Sequence, residues 1–125
     1  MGSMPVVDVE VVGNPDRAVP PGLAQSLADA VGRILESPPG QTWVRIRVIE
    51  REHYAENESS IEANELPVFV TVLKPALPAG AELRDEISAL TSAVAQALGR
   101  ALSCVHVEYA PAAGGRLSFG GKLVE

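Results

Sequence analysis

The chain has 125 residues, with 16 Asp and Glu against 10 Lys and Arg, giving a formal net charge of −6. Hydrophobic residues make up 46% and aromatics 4%, a share carried by Val, Ala and Leu that fits one small folded domain and excludes a disordered tail. The acidic balance argues against a general binder of nucleic acid or of an anionic membrane surface.

No apolar run approaches bilayer length, no secretory-type leader is evident, and Cys104 is the single cysteine, so a cytoplasmic protein is the expectation. Met1-Gly2-Ser3 ahead of Met4-Pro5 reads as a cloning remnant before a natural start at Met4. Residues 1–4 are therefore set apart, and 5–125 are treated as one domain. Removal of Met4, expected when proline follows, would leave Pro5 at the N-terminus.

Pro5 to Val12 alternates, with Val7, Val9 and Val11 on one side and Val6, Asp8, Glu10 and Val12 on the other, which predicts a strand. After the Gly13-Asn14-Pro15-Asp16 turn and Pro20-Pro21, apolar residues recur at helical spacing from Leu23 to Leu35, predicting a helix over 21–36 that Ser37-Pro38-Pro39-Gly40 stops. Thr42 to Glu50 alternates again, completing a first β-α-β unit over 5–54. Residues 55–66 hold four glutamates and no apolar period, and read as a solvated loop. The second unit and a C-terminal strand occupy 67–125. Its strand Pro67–Lys74 contains V-F-V-T-V-L, a continuous run that suggests burial on both faces. A helix from about 81 to 102 carries the stripe Leu83, Ile87, Leu90, Val94, Leu98 and Leu102, with Glu82, Asp85 and Glu86 suiting one end of the helix dipole and Arg100 the other. Ser103 to Ala110 is a further strand, and the glycine-rich tail closes on a short one.

The two halves repeat in the letters, A-V-G-R-I-L before W-V-R-I-R-V and A-L-G-R-A-L before C-V-H-V-E-Y. The expected fold class is α+β, two β-α-β repeats forming a four-stranded mixed sheet with two helices on one face. Strand parity leaves Asp8, Glu10, Trp43, Arg45, Arg47, Cys104, His106 and Glu108 on the other face. That face either meets water or is covered by copies of the same chain.

A strand opening at Met4-Pro5, a repeated β-α-β unit and a charged sheet face opposite the helices together resemble the tautomerase superfamily. Its members include 4-oxalocrotonate tautomerase, 5-carboxymethyl-2-hydroxymuconate isomerase and macrophage migration inhibitory factor. The resemblance implies a barrel-like homotrimer with the helices outside, with Leu117 to Val124 reaching a neighbour. It also implies a cofactor-free, metal-free tautomerase or isomerase acting on a small anionic 2-oxo or enol carboxylate. Pro5 stands in the place of the catalytic N-terminal proline. Arg45, in W-V-R-I, is similar to a strand arginine that contacts the substrate carboxylate in 4-oxalocrotonate tautomerase. Tyr54, His106 and Glu108 fall where residues shaping the pocket are found. Ser37 replaces a lysine that precedes Pro-Pro in one branch, and Arg17 lies only near the place of a first-turn arginine. A hydratase, dehalogenase or decarboxylase of the same superfamily, or a non-enzymatic trimeric binding protein, are the alternatives.

Each candidate also has a plainer reading from the residues alone. Pro5 suits the first position of a strand, Arg45 could pair with Asp8 or Glu108, His106 could sit in an interface, and Tyr54 could border a loop. In the chain as written the Pro5 nitrogen is an amide without a basic lone pair, so proline-dependent activity is expected only from protein that begins at Pro5.

Overall fold

The computed structural model describes residues 4–125, so the reading of residues 1–3 as foreign lies outside the described residues. The main sheet comprises β1 (Val6–Gly13), β2 (Trp43–Glu50), β3 (Val68–Leu73) and β4 (Val105–Tyr109), in the order β2-β1-β3-β4. Both β-α-β crossovers make parallel pairs, β1 with β2 and β3 with β4, and the two units join through the antiparallel pair β1 and β3. The expected mixed sheet is therefore the observed one.

Valine alternation sets the layering. Val7, Val9 and Val11 of β1 and Val68, Val70 and Val72 of β3 are buried beneath the helices with Leu27, Val31, Leu90 and Val94. Here β-branched side chains that suit a pleated strand meet the leucines of the helices. Helix α1 (Leu23–Ile34) starts with its apolar period at Leu23 and is two residues shorter at each end than the expected 21–36, with Pro20, Pro21 and left-handed Gly22 forming a turn before it. Helix α2 (Gly80–Leu98) ends at left-handed Gly99, and the Arg100 amide donates back to the Ala95 carbonyl at 3.0 Å, a closing geometry that releases the chain from the helix. Leu102 is thus off the helix and 59% exposed, and Arg100 lies beyond the last turn.

Three further expectations change. Strand β3 is buried on one face only, since Phe69, Thr71 and Leu73 remain partly exposed. Cys104 is not on the open sheet face: it belongs to a one-turn helix at Leu102–Cys104, which breaks the strand alternation, and it is buried. The 55–66 loop includes a one-turn helix at Ala63–Glu65, closed by reciprocal capping between Glu62 and Glu65.

The tail forms a hairpin of β5 (Leu117–Phe119) and β6 (Lys122–Val124). It packs on its own chain, with the Phe119 ring stacked on Trp43 at 4.1 Å between centroids and 12° between planes. The chain reaches it by running along the end of β3, where the Ala113 amide donates to Lys74 and the Gly114 amide to Pro75, both at 2.9 Å. A Cβ at Gly114 would meet the Pro75 carbonyl oxygen at 3.0 Å, so a side chain there would press on this close passage. Among the described residues no helix is long and apolar enough to cross a membrane.

Candidate active site

The sheet has two ends, and Pro5 lies at the one where β1 and β2 begin and β3 and β4 finish. Its carbonyl accepts the Trp43 amide at 3.1 Å, which ties it to the start of β2. By parity it faces the helix layer with Val7 and Val9, and its side chain is fully buried. Immediately before it, Met4 is left-handed with φ of 42°, a conformation that costs about 1 kcal/mol in a residue bearing a Cβ. The chain therefore bends sharply as it leaves the buried proline.

On β1's other side the ladder pairs Val6 with Leu73, and its next step sets Pro5 beside Lys74. Lys74 shares the parity of Val70 and Val72, so it too faces the helix layer, and it is only 6% exposed. Its Nζ lies 3.0 Å from Glu86 Oε1, and the Tyr109 hydroxyl donates to Glu86 Oε2 at 2.5 Å. One glutamate from α2 thus joins the end of β3 to the end of β4. Burial first, and then the hydrogen bond to Glu86, push the Tyr109 hydroxyl well above the ordinary phenol range. A cavity of about 760 Å³ opens here, bordered by Met4, Leu35, Lys74, Leu77 and the last residues of the chain. Among the described residues Lys74 is its single cation, alongside Glu36, Glu82, Glu86 and Glu125.

Sequence reasoning missed Lys74, Glu86 and Tyr109 as a group. The available signal was phase: Glu86 falls three residues after Leu83 and four before Leu90, on the apolar side of α2, and Lys74 continues the buried alternation of β3.

The other predicted residues lie on the open face, in rows that the register draws straight across the sheet. One row runs Arg45, Asp8, Thr71, Glu108. The Arg45 guanidinium grips Asp8 with two hydrogen bonds of 2.7 and 3.0 Å, and Thr71 donates to Glu108 Oε1 at 3.3 Å. The next row runs Arg47, Glu10, Phe69, His106, with the Phe69 and His106 rings 5.3 Å apart and Arg47 3.6 Å from Glu10. Tyr54 reaches that row through Phe69, ring to ring at 5.8 Å, and donates to Glu56 at 2.6 Å. Burial first, then Glu56, push its hydroxyl up to about 12.

The structure therefore brings Tyr54 and His106 together around Phe69, and puts Arg45 and Glu108 in one row. It does not bring any of them to the Pro5 of the same chain. Pro5 faces the helices whereas these residues face away, and the Phe69 row is five residues along β1, about 17 Å at the rise of a strand. Arg45 pairs with Asp8 and not with Glu108.

At the opposite end of the sheet a more open cleft of about 970 Å³ is bordered by Arg17, Arg51 and Arg100 together with Glu50 and Glu52. Arg100 donates to the carbonyls of Leu66 at 2.7 Å and Val12 at 3.1 Å, and Arg51 donates to that of Ile61. Burial lowers the Arg100 guanidinium from its usual range. Glu50, Glu52 and His53 bring potential metal-ligand atoms within 4.8 Å of one another, all on exposed side chains. Such exposed acidic groupings are common without an ion, and spacing alone did not mark this one.

No protein-family model matches the chain, and no curated protein matches it. Solved structures do match in fold. The macrophage migration inhibitory factor of Trichinella spiralis aligns over 94% of this chain and 98% of its own, with TM-score 0.75 and 16% identity. A fused 4-OT wild-type symmetric trimer aligns over 95% and 94%, with TM-score 0.69 and 18% identity. Pt0534, in a structure of the protein inactivated by 2-oxo-3-pentynoate, aligns over 95% and 94%, with TM-score 0.72 and 15% identity. At these identities the likeness is one of fold.

Proposed function

From a chain with the fold of the tautomerase superfamily, we propose a cofactor-independent tautomerase that moves a proton on a small 2-oxo or enol carboxylate, with Pro5 as the acid and base. The observation that carries this reading is the placement of Pro5, fully buried just before β1, between Met4 and the ladder step of Lys74, both of which border the cavity. Freed of the residues before it, Pro5 becomes a secondary amine. Burial disfavours its protonated form and moves its basicity toward neutral pH. The neutral amine then removes a proton from the carbon next to a carbonyl and returns it elsewhere, while a cation stabilises the enolate between the two steps.

The assembly follows from the open face. Its rows of paired charges are flanked by the partly exposed Val6, Trp43 and Ile49, and among the described residues no further layer lies over them. A homotrimer, the state named for the matching 4-OT fusion, covers that face and allows one chain's Arg45, Tyr54, His106 and Glu108 to serve a neighbour's Pro5. Arg45 then receives the substrate carboxylate, and the other three shape the pocket.

The test compares protein that begins at Pro5 with the chain as written, using ketonisation of phenylenolpyruvate. General acid and base catalysis contributes about 100-fold or more, so the Pro5-first protein should exceed the chain as written, and its own Pro5→Ala variant, by at least about that factor. Equal rates would remove the proline mechanism. A second readout is the N-terminal peptide after treatment with 2-oxo-3-pentynoate: a Pro5 adduct is expected in the Pro5-first protein and none in the chain as written.

A further inference from the structure

We infer that Lys74, Glu86 and Tyr109 form a buried positioning network that sets the balance of charge facing the Pro5 nitrogen. This rests on the reading of Pro5 as the base, and it adds the device within the same chain that tunes it.

Lys74 stands out in the core. The other positions of its alternating row, Val68, Val70 and Val72, are fully buried valines, whereas Lys74 brings an ammonium into the same layer. A buried ion pair is a poor source of stability, because desolvating two charges offsets most of their attraction, and an apolar pair would pack at least as well. Its place in the ladder supplies the other reason, since the step beyond Val6 and Leu73 is the step that holds Pro5. Glu86 fixes the ammonium at 3.0 Å, and Tyr109 fixes Glu86 in turn. Tyr109 also keeps one carboxylate oxygen engaged, so the glutamate cannot turn freely toward the cavity.

The charged groups around Lys74 come from every side of the cavity. Glu82 and Glu86 lie on α2, Glu36 follows α1, Tyr109 ends β4, and Glu125 closes the chain. Lys74 is the one positive group among them. Removing it leaves the carboxylates that border the cavity next to Pro5 without a balancing cation, which favours the protonated amine. Neutralising Glu86 leaves the ammonium unbalanced, which favours the free amine. The two changes therefore push Pro5 in opposite directions. A network that only held the strands together would give no such pair of signs.

The experiment reads the Pro5 amine through its reaction with 2-oxo-3-pentynoate in protein beginning at Pro5. The free amine adds to the alkyne carbon distant from the carbonyl, the electron pair passes to the carbonyl oxygen, and the resulting enolate takes up a proton as the nitrogen loses one. No group leaves, so the N-terminal peptide gains the whole mass of the reagent. Rate against pH gives the midpoint of the amine. Lys74→Met should raise that midpoint by about one pH unit, slowing labelling about tenfold near neutrality, and Glu86→Gln should lower it by a comparable step. Lys74→Arg should restore the wild-type midpoint, and Tyr109→Phe should move it less than either. Far-UV circular dichroism confirms that each variant is folded. If Lys74→Met does not fold, Glu86→Gln decides, and an unchanged midpoint in it overturns the inference. Shifts of one sign in both variants, or none, also overturn it while leaving Pro5 as the base. Absence of a Pro5 adduct in the wild-type Pro5-first protein at every pH overturns the proposed function and the network's role with it.

Discussion

The two ends of the sheet use cations in opposite ways. At the end where β1 finishes, Arg100 serves the backbone: its two nitrogens hold the carbonyls of Leu66 and Val12 and join the start of β3 to the end of β1. At the end where β1 begins, the Lys74 side chain bonds, among the described residues, to one carboxylate and no carbonyl, within a smaller cavity beside a buried proline. The larger cleft has more arginines, yet two of its three close main-chain gaps. Volume and charge count therefore favour one end, whereas what each cation is bonded to favours the other.

The largest expected effect on stability separates these two roles. Lys74→Met removes one partner of a pair whose side chains are 8% and 13% exposed, leaving a nearly buried carboxylate uncompensated at a cost of about 3 kcal/mol. Glu86→Gln in the same chain should recover much of that loss, because the stranded charge is gone. Chemical denaturation of the single and double variants measures both. Arg100→Met should cost about 2 kcal/mol through the two carbonyls it leaves without partners, and no second substitution should rescue it. Recovery at Arg100, or its absence at Lys74, would break the distinction between the two ends.

Arg45 is expected to affect the fold less and function more. Its side chain is 65% exposed, so Arg45→Ala should leave the melting temperature nearly unchanged. In Pro5-first protein it should raise KM for a 2-oxo carboxylate about tenfold with kcat little altered, as for loss of one charge-assisted contact made equally before and during reaction. An unchanged KM would remove Arg45 from the carboxylate role and leave it as Asp8's partner.

The sheet could be read from the sequence because valine alternation marks one covered face, and the repeated Gly-Arg before each returning strand marks the two units. Register follows from the same alternation, which is why Asp8 and Arg45 fall opposite each other as charges of opposite sign. The buried network could not be read so easily. V-F-V-T-V-L-K resembles a strand that ends in solvent, and Glu86 near a helix start has a sufficient explanation in the dipole, so neither called for a partner. Tyr109 ends its strand next to Glu108, which alternation turns to the opposite face, so the sequence offers no acceptor on its own side. The second unit's own fold, β3 and β4 paired in parallel with α2 crossing over them, puts the three side chains together from separate segments. The hairpin is similar: the stacking of Phe119 on Trp43 spans most of the chain and leaves no local pattern.

The smallest expected effect again sets the two ends against each other, through their tyrosines. Tyr109 donates to Glu86 in the buried network, and Tyr54 donates to Glu56 at the Phe69 end. Both hydroxyls hold their protons more tightly in the folded chain than in the unfolded one, Tyr54 up to about 12 and Tyr109 further. Their contribution is fully present below the ordinary phenol range near pH 10. Above it the unfolded chain loses protons that the folded chain keeps, so stability falls as pH rises, through about 12 for Tyr54 and beyond that for Tyr109. Tyr54→Phe and Tyr109→Phe should each flatten this alkaline decline, measured by denaturant unfolding at steps between about pH 9 and 11, where both tyrosines lie below their folded values. Over that window the two variants should give similar slopes, because each removes one phenol that only the unfolded chain releases. They should separate near neutral pH, where Tyr109→Phe also deprives a nearly buried carboxylate of a donor and Tyr54→Phe deprives a solvated one. Equal stabilities at pH 7 would mean that Glu86 is as well hydrated as Glu56, and the contrast between the two ends would fail at its most direct point.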